Sequence, residues 1–413
     1  MGDWSQKAIE KIFVEVDYYD GDHRRALERY ASADQIQDVV KHGIEVAVPD
    51  FLTYLLFHRA CSLPLHYAGY RQTRERIADA YGKLGDLVEL EHGSLYLPAG
   101  ALGLPVDLTE HIGESIGLSV INRIHGVTEA DWKPVSTTTD NKTLDYELAS
   151  DGAHRIQVET KGSVAENPNA KSPAISNHKR SIAEKKGDLR RADPEIQSYG
   201  TIVVIPFGPR PLKCWLLDPP PTDLERSPRD FRILARLEFL RWILWLISPR
   251  ATLVGALATR VRAVAALRDP YELSGVPLAH PDGRPIEVDS RFRGSQAYAG
   301  FFASRSRVAD GPAGGIVTPL EGHGTLLFIG VREDLLHLVT GQLFEAITNY
   351  AAEWGSVEKV VNCTVSSAEF DRFDIPENRL VGFRRSSGYV SFRMRGMLRY
   401  SVEGLVFGEI GGW

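Results

Sequence analysis

The residues best suited to chemistry lie in one short stretch, Leu144 to Ser163, which reads LDYELASDGAHRIQVETKGS. Two short strand-like runs flank an Asp-Gly dipeptide that ends at Gly152 and strongly favours a hairpin turn. A turn centred near Gly152 places Asp145 opposite Glu159, and Lys161 follows on the same face because alternate residues of a strand share a face. The pattern therefore predicts two carboxylates and one ammonium on a common surface.

Carboxylates that face each other across a hairpin repel, and a divalent cation held between them would offset that repulsion. Asp145 and Glu159 supply hard oxygen ligands, and a site partly open to water favours Mg²⁺ over zinc, with Mn²⁺ as the alternative ion. Asp140 is the alternative to Asp145 as the first ligand. We therefore expect a magnesium site on this hairpin.

The neighbouring segments have patterns that could complete such a site. Upstream, His111–Gly126 predicts an amphipathic helix with Glu114 near its start, which could add a third carboxylate. Downstream, Asn177–Asp193 predicts a basic helix, and Tyr199–Phe207 predicts a buried strand. The basic helix carries four side chains that could contact a phosphate backbone: Lys179, Arg180, Lys185 and Lys186.

This ordered set resembles the PD-(D/E)XK nuclease superfamily, the restriction-endonuclease-like proteins. The matching positions are Glu114 on a helix, Asp145 on one strand and Glu159-Thr160-Lys161 on the next, followed by a helix and a further strand. Leu144 stands where the proline of the family name would be. The resemblance covers the central region of the chain and implies a mixed sheet flanked by helices.

The resemblance also implies roles for these residues in phosphodiester hydrolysis. Asp145 and Glu159 would hold Mg²⁺, and Glu114 would support this ion or bind a second one. Lys161 would orient or deprotonate the attacking water and offset charge on the phosphate. We therefore expect an endonuclease that acts on nucleic acid, DNA rather than RNA, in prokaryotic restriction or antiphage defence.

The composition excludes several other classes of protein. The 413 residues are 43% apolar and 25% charged, which is typical of a globular chain and not of a disordered or collagen-like one. Cys61, Cys214 and Cys363 lack the spacing of a structural zinc site and fit a reducing cytoplasm. The net charge of −6 excludes an overall basic coat, but residues 171–213 hold nine basic and four acidic side chains. A basic groove would therefore be local.

The most apolar run, Phe239 to Thr259, is interrupted by Arg241, Pro249 and Arg250. Neither half reaches the roughly 20 residues that a membrane span needs. The N-terminal residues are acidic and lack the apolar core of a signal peptide. We therefore expect two buried helices that meet at Ser248-Pro249, no membrane partner and a cytoplasmic protein.

The length and the changes of pattern predict three regions in an α/β (α+β) multidomain protein. Residues 1–105 are expected to be mostly helical, with a hairpin around His92-Gly93, and to form either a winged-helix module or a helical cap. Residues 106–215 form the expected nuclease-like domain, and residues 221–413 an α+β region that binds nucleic acid or a partner. Within this last region, Gly311–Thr325 is expected to be a flexible loop.

A hairpin near the C-terminus is a second candidate surface for nucleic acid. In the run that begins at Tyr389, apolar side chains alternate with polar ones, and Arg393 and Arg395 fall on the polar face. This polar face could be either a solvated outer surface or a surface that binds phosphates.

Two other functions remain open at this point. The protein could keep the nuclease fold as a nucleic-acid-binding or assembly subunit without activity. Its protein partner could also be a second copy of the same chain, in a homo-oligomer. The protein could also be a defence effector that is triggered when its C-terminal region docks a sensor protein.

Overall fold

The computed structural model describes residues 11–58, 69–134, 146–184, 196–219, 227–286, 306–309, 311, 313–320, 324–373 and 375–411. The strands in these ranges are β1 Lys11–Tyr18, β2 Ile44–Ala47, β3 Glu89–Glu91, β4 Ser94–Tyr96, β5 Lys133–Pro134, β6 Tyr146–Ser150, β7 Arg155–Ala165, β8 Ile196–Pro206, β9 Leu212–Leu217, β10 Ser306–Val308, β11 Ala313–Leu320, β12 Thr325–Arg332, β13 Gly355–Ser366, β14 Val381–Ser386, β15 Tyr389–Tyr400 and β16 Leu405–Gly411. The α-helices are α1 Gly21–Leu27, α2 Ala33–His42, α3 Val48–Thr53, α4 Tyr70–Leu87, α5 Val106–His125, α6 Pro173–Glu184, α7 Pro228–Ile247, α8 Thr252–Ala266, α9 Glu333–Gly341, α10 Phe344–Thr348 and α11 Ser367–Phe370. Shorter helical turns are the π-helical turn Tyr54–His58 and the 3-10 turns Glu129–Asp131, Pro270–Leu273 and Glu377–Arg379.

The described residues divide into two compact units. The first takes those within 9–62 and 83–235, and the second takes those within 63–82 and 236–413. These units differ from the expected regions 1–105, 106–215 and 221–413, because residues 11–58 and 83–105 fall in the same unit as 106–215. Strands β1 and β2 are hydrogen-bonded into the same sheet as β8 and β9, so the N-terminal segment is not a separate helical or winged-helix domain.

The first unit is built on a mixed seven-stranded sheet of order β2-β1-β9-β8-β7-β6-β5. Strand β7 runs antiparallel to β6 and parallel to β8, and helix α6 lies in the crossover between the parallel pair. Every residue of β8 is buried, as expected for a central strand that is covered on both faces.

Helices α5 and α6 pack on opposite faces of this sheet. The amphipathic helix expected at His111–Gly126 is confirmed, and its apolar stripe of Ile112, Ile116, Val120 and Ile124 is buried. The backbones of α5 and β7 touch closely, because a Cβ atom on Gly162 would lie 2.0 Å from the carbonyl oxygen of Thr109.

On the other face, the side chains of α6 pack over β8 and β9. A Cβ on Gly200 would lie 3.1 Å from Ile182, and Ile175 joins the same apolar cluster as Ile202 and Trp215. We call the two sides of the sheet the α5 face and the α6 face.

The second unit contains a sheet of order β13-β10-β11-β12-β16-β15-β14, in which β13 also pairs with β15. The expected loop at Gly311–Thr325 is wrong, because Ala313–Leu320 forms the buried strand β11. Gly315 permits this strand to pair, since a Cβ there would lie 2.0 Å from the carbonyl oxygen of Ile329.

The apolar run before residue 259 forms two helices in the expected way. Helix α7 ends at Ile247, and α8 begins at Thr252. In the part of the chain that the structure describes, no helix is both long enough and apolar enough to cross a membrane.

Candidate functional site

The hairpin between β6 and β7 has the predicted strands but a different register. Tyr146 pairs with Glu159, and Ser150 pairs with Arg155, so four residues form the turn. The expected pairing of Asp145 with Glu159 is therefore wrong by one position. Asp145 and its alternative Asp140 lie outside the described residues.

The turn itself explains this register. The Oδ1 atom of Asp151 accepts hydrogen bonds from the backbone N–H groups of Ala153 (2.8 Å) and His154 (2.6 Å), and the Ser150 hydroxyl accepts one from Gly152 (3.0 Å). Gly152 has φ +96°. These bonds stabilise a turn one residue longer than a turn centred on Gly152 would need.

Glu159 and Lys161 share the α6 face, as the alternation predicts. Gly200, which is paired with Glu159, points its missing side chain at helix α6, whereas Gly162 points at helix α5. The Glu159 side chain is fully buried, and the Nζ atom of Lys161 lies 3.4 Å from its Oε1 atom with 21% of the lysine side chain exposed. The pair therefore joins a buried carboxylate to a cation that reaches solvent.

Lys161 also acts electrostatically on His178 of helix α6, as does Glu110 of helix α5. Burial lowers the pKa of His178 below its ordinary value, the positive charge of Lys161 lowers it further, and the Glu110 carboxylate raises it. Both charged groups are therefore within electrostatic reach of the imidazole, which is neutral at pH 7.

Two of the four predicted phosphate contacts on the basic helix are described, Lys179 and Arg180. The Nζ atom of Lys179 lies 3.0 Å from Oδ2 of Asp20 and 5.0 Å from the ring centre of Tyr19. Burial raises the pKa of Asp20, but hydrogen bonds from the His23 backbone and Lys179 outweigh it and lower the pKa to about 2. Asp20 caps the N-terminus of α1, so its ion pair with Lys179 links α6 to the start of that helix.

Arg180 is exposed and donates to Oδ1 of Asn177 at 3.1 Å. Lys185 and Lys186 lie outside the described residues. Of the described pair, Lys179 shares its charge with Asp20.

Glu114 belongs to a different cluster, on the α5 face. Its carboxylate lies together with His58 and Glu147, and one ligand atom from each of the three falls within 4.8 Å of the others. Glu147 pairs with Val158, the neighbour of Glu159, so Glu147 and Glu159 leave opposite faces of the sheet. Glu114 therefore lies with Glu147 and not, as expected, with Glu159.

His58 lies at the centre of this second cluster, at the end of the π-helical turn. Its Nδ1 atom is hydrogen-bonded to Oε1 of Glu129 at 2.9 Å, and its Nε2 atom lies 3.1 Å from Oε2 of Glu147. Nε2 of His58 and Oε2 of Glu147 are too poorly aligned for a hydrogen bond. Both atoms are buried, and both lack a hydrogen-bond partner among the described residues. The histidine is 2% exposed, so the cluster is enclosed.

Burial and charge oppose each other in this cluster. Burial lowers the pKa of His58, but the carboxylates of Glu147 and Glu129 outweigh it and hold the pKa well above its ordinary value. Burial raises the pKa of Glu129 despite its bond to His58. His58 is therefore a positive partner that offsets the charge of the Glu147 and Glu129 carboxylates.

The C-terminal hairpin is confirmed. Strands β14 and β15 pair around the expected turn, Phe392 and Met394 are buried, and Arg393 and Arg395 are exposed on the other face. The Nε atom of Arg395 lies 3.8 Å from a carboxylate oxygen of Glu358. The hairpin's contact with nucleic acid remains a prediction.

The second unit also contains a cavity of about 670 Å³ beside helix α4. Its arginines are balanced by acids, since Arg372 lies 3.1 Å from Glu75, and Arg74 lies 3.9 Å from Glu369. The wall therefore alternates in charge and does not present the uniformly positive surface that a phosphate chain requires.

The sequence interpretation missed His58, Glu129, Glu147, Glu110 and His178. The first three are distant along the chain and have no motif spacing. For Glu147 the alternation of side chains along β6 was a usable signal. Because Tyr146 pairs with Glu159 in this register, the next residue, Glu147, must lie on the opposite face of the sheet.

No protein-family model, curated protein or solved structure matches this chain.

Proposed function

We propose that the protein is a Mg²⁺-dependent nuclease, with DNA favoured over RNA, and that Glu159 and Lys161 act at its reacting centre. The observation that carries the proposal is the pair itself: a buried carboxylate oxygen lies 3.4 Å from an ammonium that reaches solvent. The pair lies on the sheet face that is covered by the basic helix α6.

The chemistry of the donor fits the ion. Mg²⁺ prefers hard oxygen ligands, and Glu159 supplies one on a rigid strand. When bound, Mg²⁺ would polarise the phosphate and make a bound water more acidic. Asp145, which lies outside the described residues, is kept as the other ligand on the resemblance alone, because Tyr146 and not Asp145 pairs with Glu159.

The remaining roles follow from charge and position. Lys161 would offset the negative charge that develops on the phosphate and orient the attacking water. Helix α5 contributes Glu110, whose negative charge raises the pKa of His178 while the charge of Lys161 lowers it. His178, being neutral, could accept a proton from that water.

The wider context of this function is part of the proposal and rests on the resemblance alone. It includes a role in restriction or antiphage defence and a protein partner for the C-terminal region. Arg180, and on the second unit Arg393 and Arg395, would contact phosphates and not bases.

The test is incubation of the purified chain with supercoiled plasmid, single-stranded DNA and RNA, each with Mg²⁺, Mn²⁺ or EDTA. We expect cleavage of DNA that needs the metal and is lost in Glu159→Gln. This substitution removes the charge of the carboxylate and keeps its shape, so the fold is retained.

The matched control is Glu166→Gln, the same chemical change at an exposed position just after β7. It should cut at the wild-type rate. Binding of DNA without cleavage under every metal condition would contradict the nuclease and favour a nucleic-acid-binding or assembly subunit. Cleavage by Glu159→Gln at the wild-type rate would place the reacting centre elsewhere.

A further inference from the structure

We propose that His58, Glu114 and Glu147 bind one first-row transition-metal ion, of the Zn²⁺ or Mn²⁺ type, as a structural centre on the α5 face. The site is separate from the proposed nuclease centre, because Glu147 and Glu159 leave opposite faces of the sheet. The inference does not depend on the proposed function.

The first argument is that the ligand atoms converge. One atom from each side chain lies within 4.8 Å of the others, and all three residues are buried. Ligands that share a metal at about 2.0–2.2 Å are roughly 3–4 Å apart, so a small inward movement closes the site. The 3.1 Å separation between Nε2 of His58 and Oε2 of Glu147 already falls in this range.

The second argument concerns unsatisfied polar atoms. Nε2 of His58 and Oε2 of Glu147 are buried and lack hydrogen-bond partners among the residues described. Buried polar atoms without partners are costly, and native proteins leave few of them. A cation between the two atoms would satisfy both at once.

The third argument is the contact on the far side of the histidine ring. Nδ1 of His58 is hydrogen-bonded to Glu129 at 2.9 Å. Histidines that bind metals almost always donate their other ring N–H to a carboxylate or carbonyl, which fixes the ring and directs the free nitrogen at the ion. Glu129 is therefore a positioning residue for His58.

The donor set selects the class of metal. An imidazole nitrogen with two carboxylates suits Zn²⁺, Mn²⁺ or Fe²⁺, whereas Mg²⁺ and Ca²⁺ prefer oxygen ligands alone. The three residues come from the π-helical turn after α3, from helix α5 and from strand β6. A bound ion would cross-link these elements within the first unit, and the enclosed site leaves no room for a polymeric substrate.

The test uses the full chain, expressed without a polyhistidine tag and dialysed free of loose metal. Elemental analysis should find about one equivalent of a transition metal per chain in the wild type. His58→Gln and Glu147→Gln should each retain less than a tenth of that amount. Glu166→Gln, the exposed control, should match the wild type.

A second measurement does not depend on how the variants fold. After the wild type is stripped with EDTA, Zn²⁺ should raise its melting temperature by several degrees, and Mg²⁺ at the same concentration should raise it less. Co²⁺ should give the visible absorption bands of a low-symmetry nitrogen and oxygen site. A wild type without metal, without a Zn²⁺ shift and with only the spectrum of aqueous Co²⁺ would overturn the proposal, as would full metal retention by both folded variants.

Discussion

The two faces of the first unit's sheet have buried carboxylates in different surroundings. On the α6 face, Glu159 is paired with Lys161, which reaches solvent. On the α5 face, Glu114 and Glu147 surround His58, and the whole cluster is enclosed. Both groups could bind a cation, but they differ in access and in the nature of their donors.

This difference suits the α6 face to a catalytic role and the α5 face to a structural one. A nuclease centre must admit a phosphate chain and keep a place for water, which a solvent-reaching lysine allows. An enclosed set of nitrogen and oxygen donors can hold an ion but cannot admit such a substrate. Changes on the α6 face should therefore act mainly on cleavage, and changes on the α5 face mainly on stability.

The largest expected effect is that of Lys161→Met on the α6 face. Cleavage should fall at least about 100-fold, because the phosphate loses a positioned cation. The variant should also melt at a lower temperature than the wild type in EDTA, since the buried Glu159 loses its ion-pair partner, and Mg²⁺ should restore part of the difference.

Single-turnover cleavage and thermal melting measure both effects. Lys41→Met, the same change at an exposed position of α2, is the control and should leave both quantities unchanged. Wild-type cleavage by Lys161→Met would remove the functional contrast between the two faces.

A smaller effect is expected for Asp151→Asn, in the turn that joins β6 to β7. Burial raises the pKa of Asp151, but hydrogen bonds from His125 and from the His154 and Ala153 backbone outweigh it and hold the pKa well below its usual range. The substitution should cost about 1–3 kcal/mol of unfolding free energy at pH 7, because the imidazole contacts lose their carboxylate.

The pH dependence has a definite sign. A carboxylate with a lowered pKa stabilises the fold above its unfolded value of about 4, and this contribution is lost as pH falls through the folded pKa. The gap between wild type and variant in urea denaturation should therefore narrow below about pH 4. Asp34→Asn, at an exposed position of α2, should show almost no gap at any pH, and a constant gap for Asp151→Asn would contradict the argument.

The smallest expected effect on the fold is that of replacing both Arg393 and Arg395 with alanine. If both contact phosphates, DNA binding should weaken whatever the sequence, and the slope of log K against log salt should decrease by about 1.8. Exposed arginines contribute little to stability, so the melting temperature should hardly change. An unchanged salt slope would show that Arg393 and Arg395 do not contact phosphates and that this face of β15 is only solvated.

Much of the local structure could be predicted from the sequence, because it depends on periodicity. The apolar stripe of α5, the alternation of β15 and the shared face of Glu159 and Lys161 all follow from side-chain spacing. The alternating run KIFVEVDY of β1 had the same signal and was missed. Its parallel partner β9 is about 200 residues away, so the sheet membership of β1 could not be predicted locally.

The candidate site was predictable only in part, for two physical reasons. The register of the β6–β7 hairpin depends on hydrogen bonds within its turn, and an error of one residue exchanges the faces of a strand. The second cluster joins His58, Glu114, Glu129 and Glu147, whose separations along the chain follow no motif. Glu114 was identified as a candidate ligand, but its partners depend on how α5 packs on the sheet.

The most direct test of the central claim is the rate of single-turnover DNA cleavage at increasing Mg²⁺ for wild type, Glu159→Gln and Glu166→Gln. If Glu159 holds the ion at the reacting centre, the wild type and Glu166→Gln should follow one saturation curve. Glu159→Gln should need more Mg²⁺ and remain at least about 100-fold slower at saturation. A Glu159→Gln curve that coincides with the other two would contradict the assignment of catalysis to the α6 face.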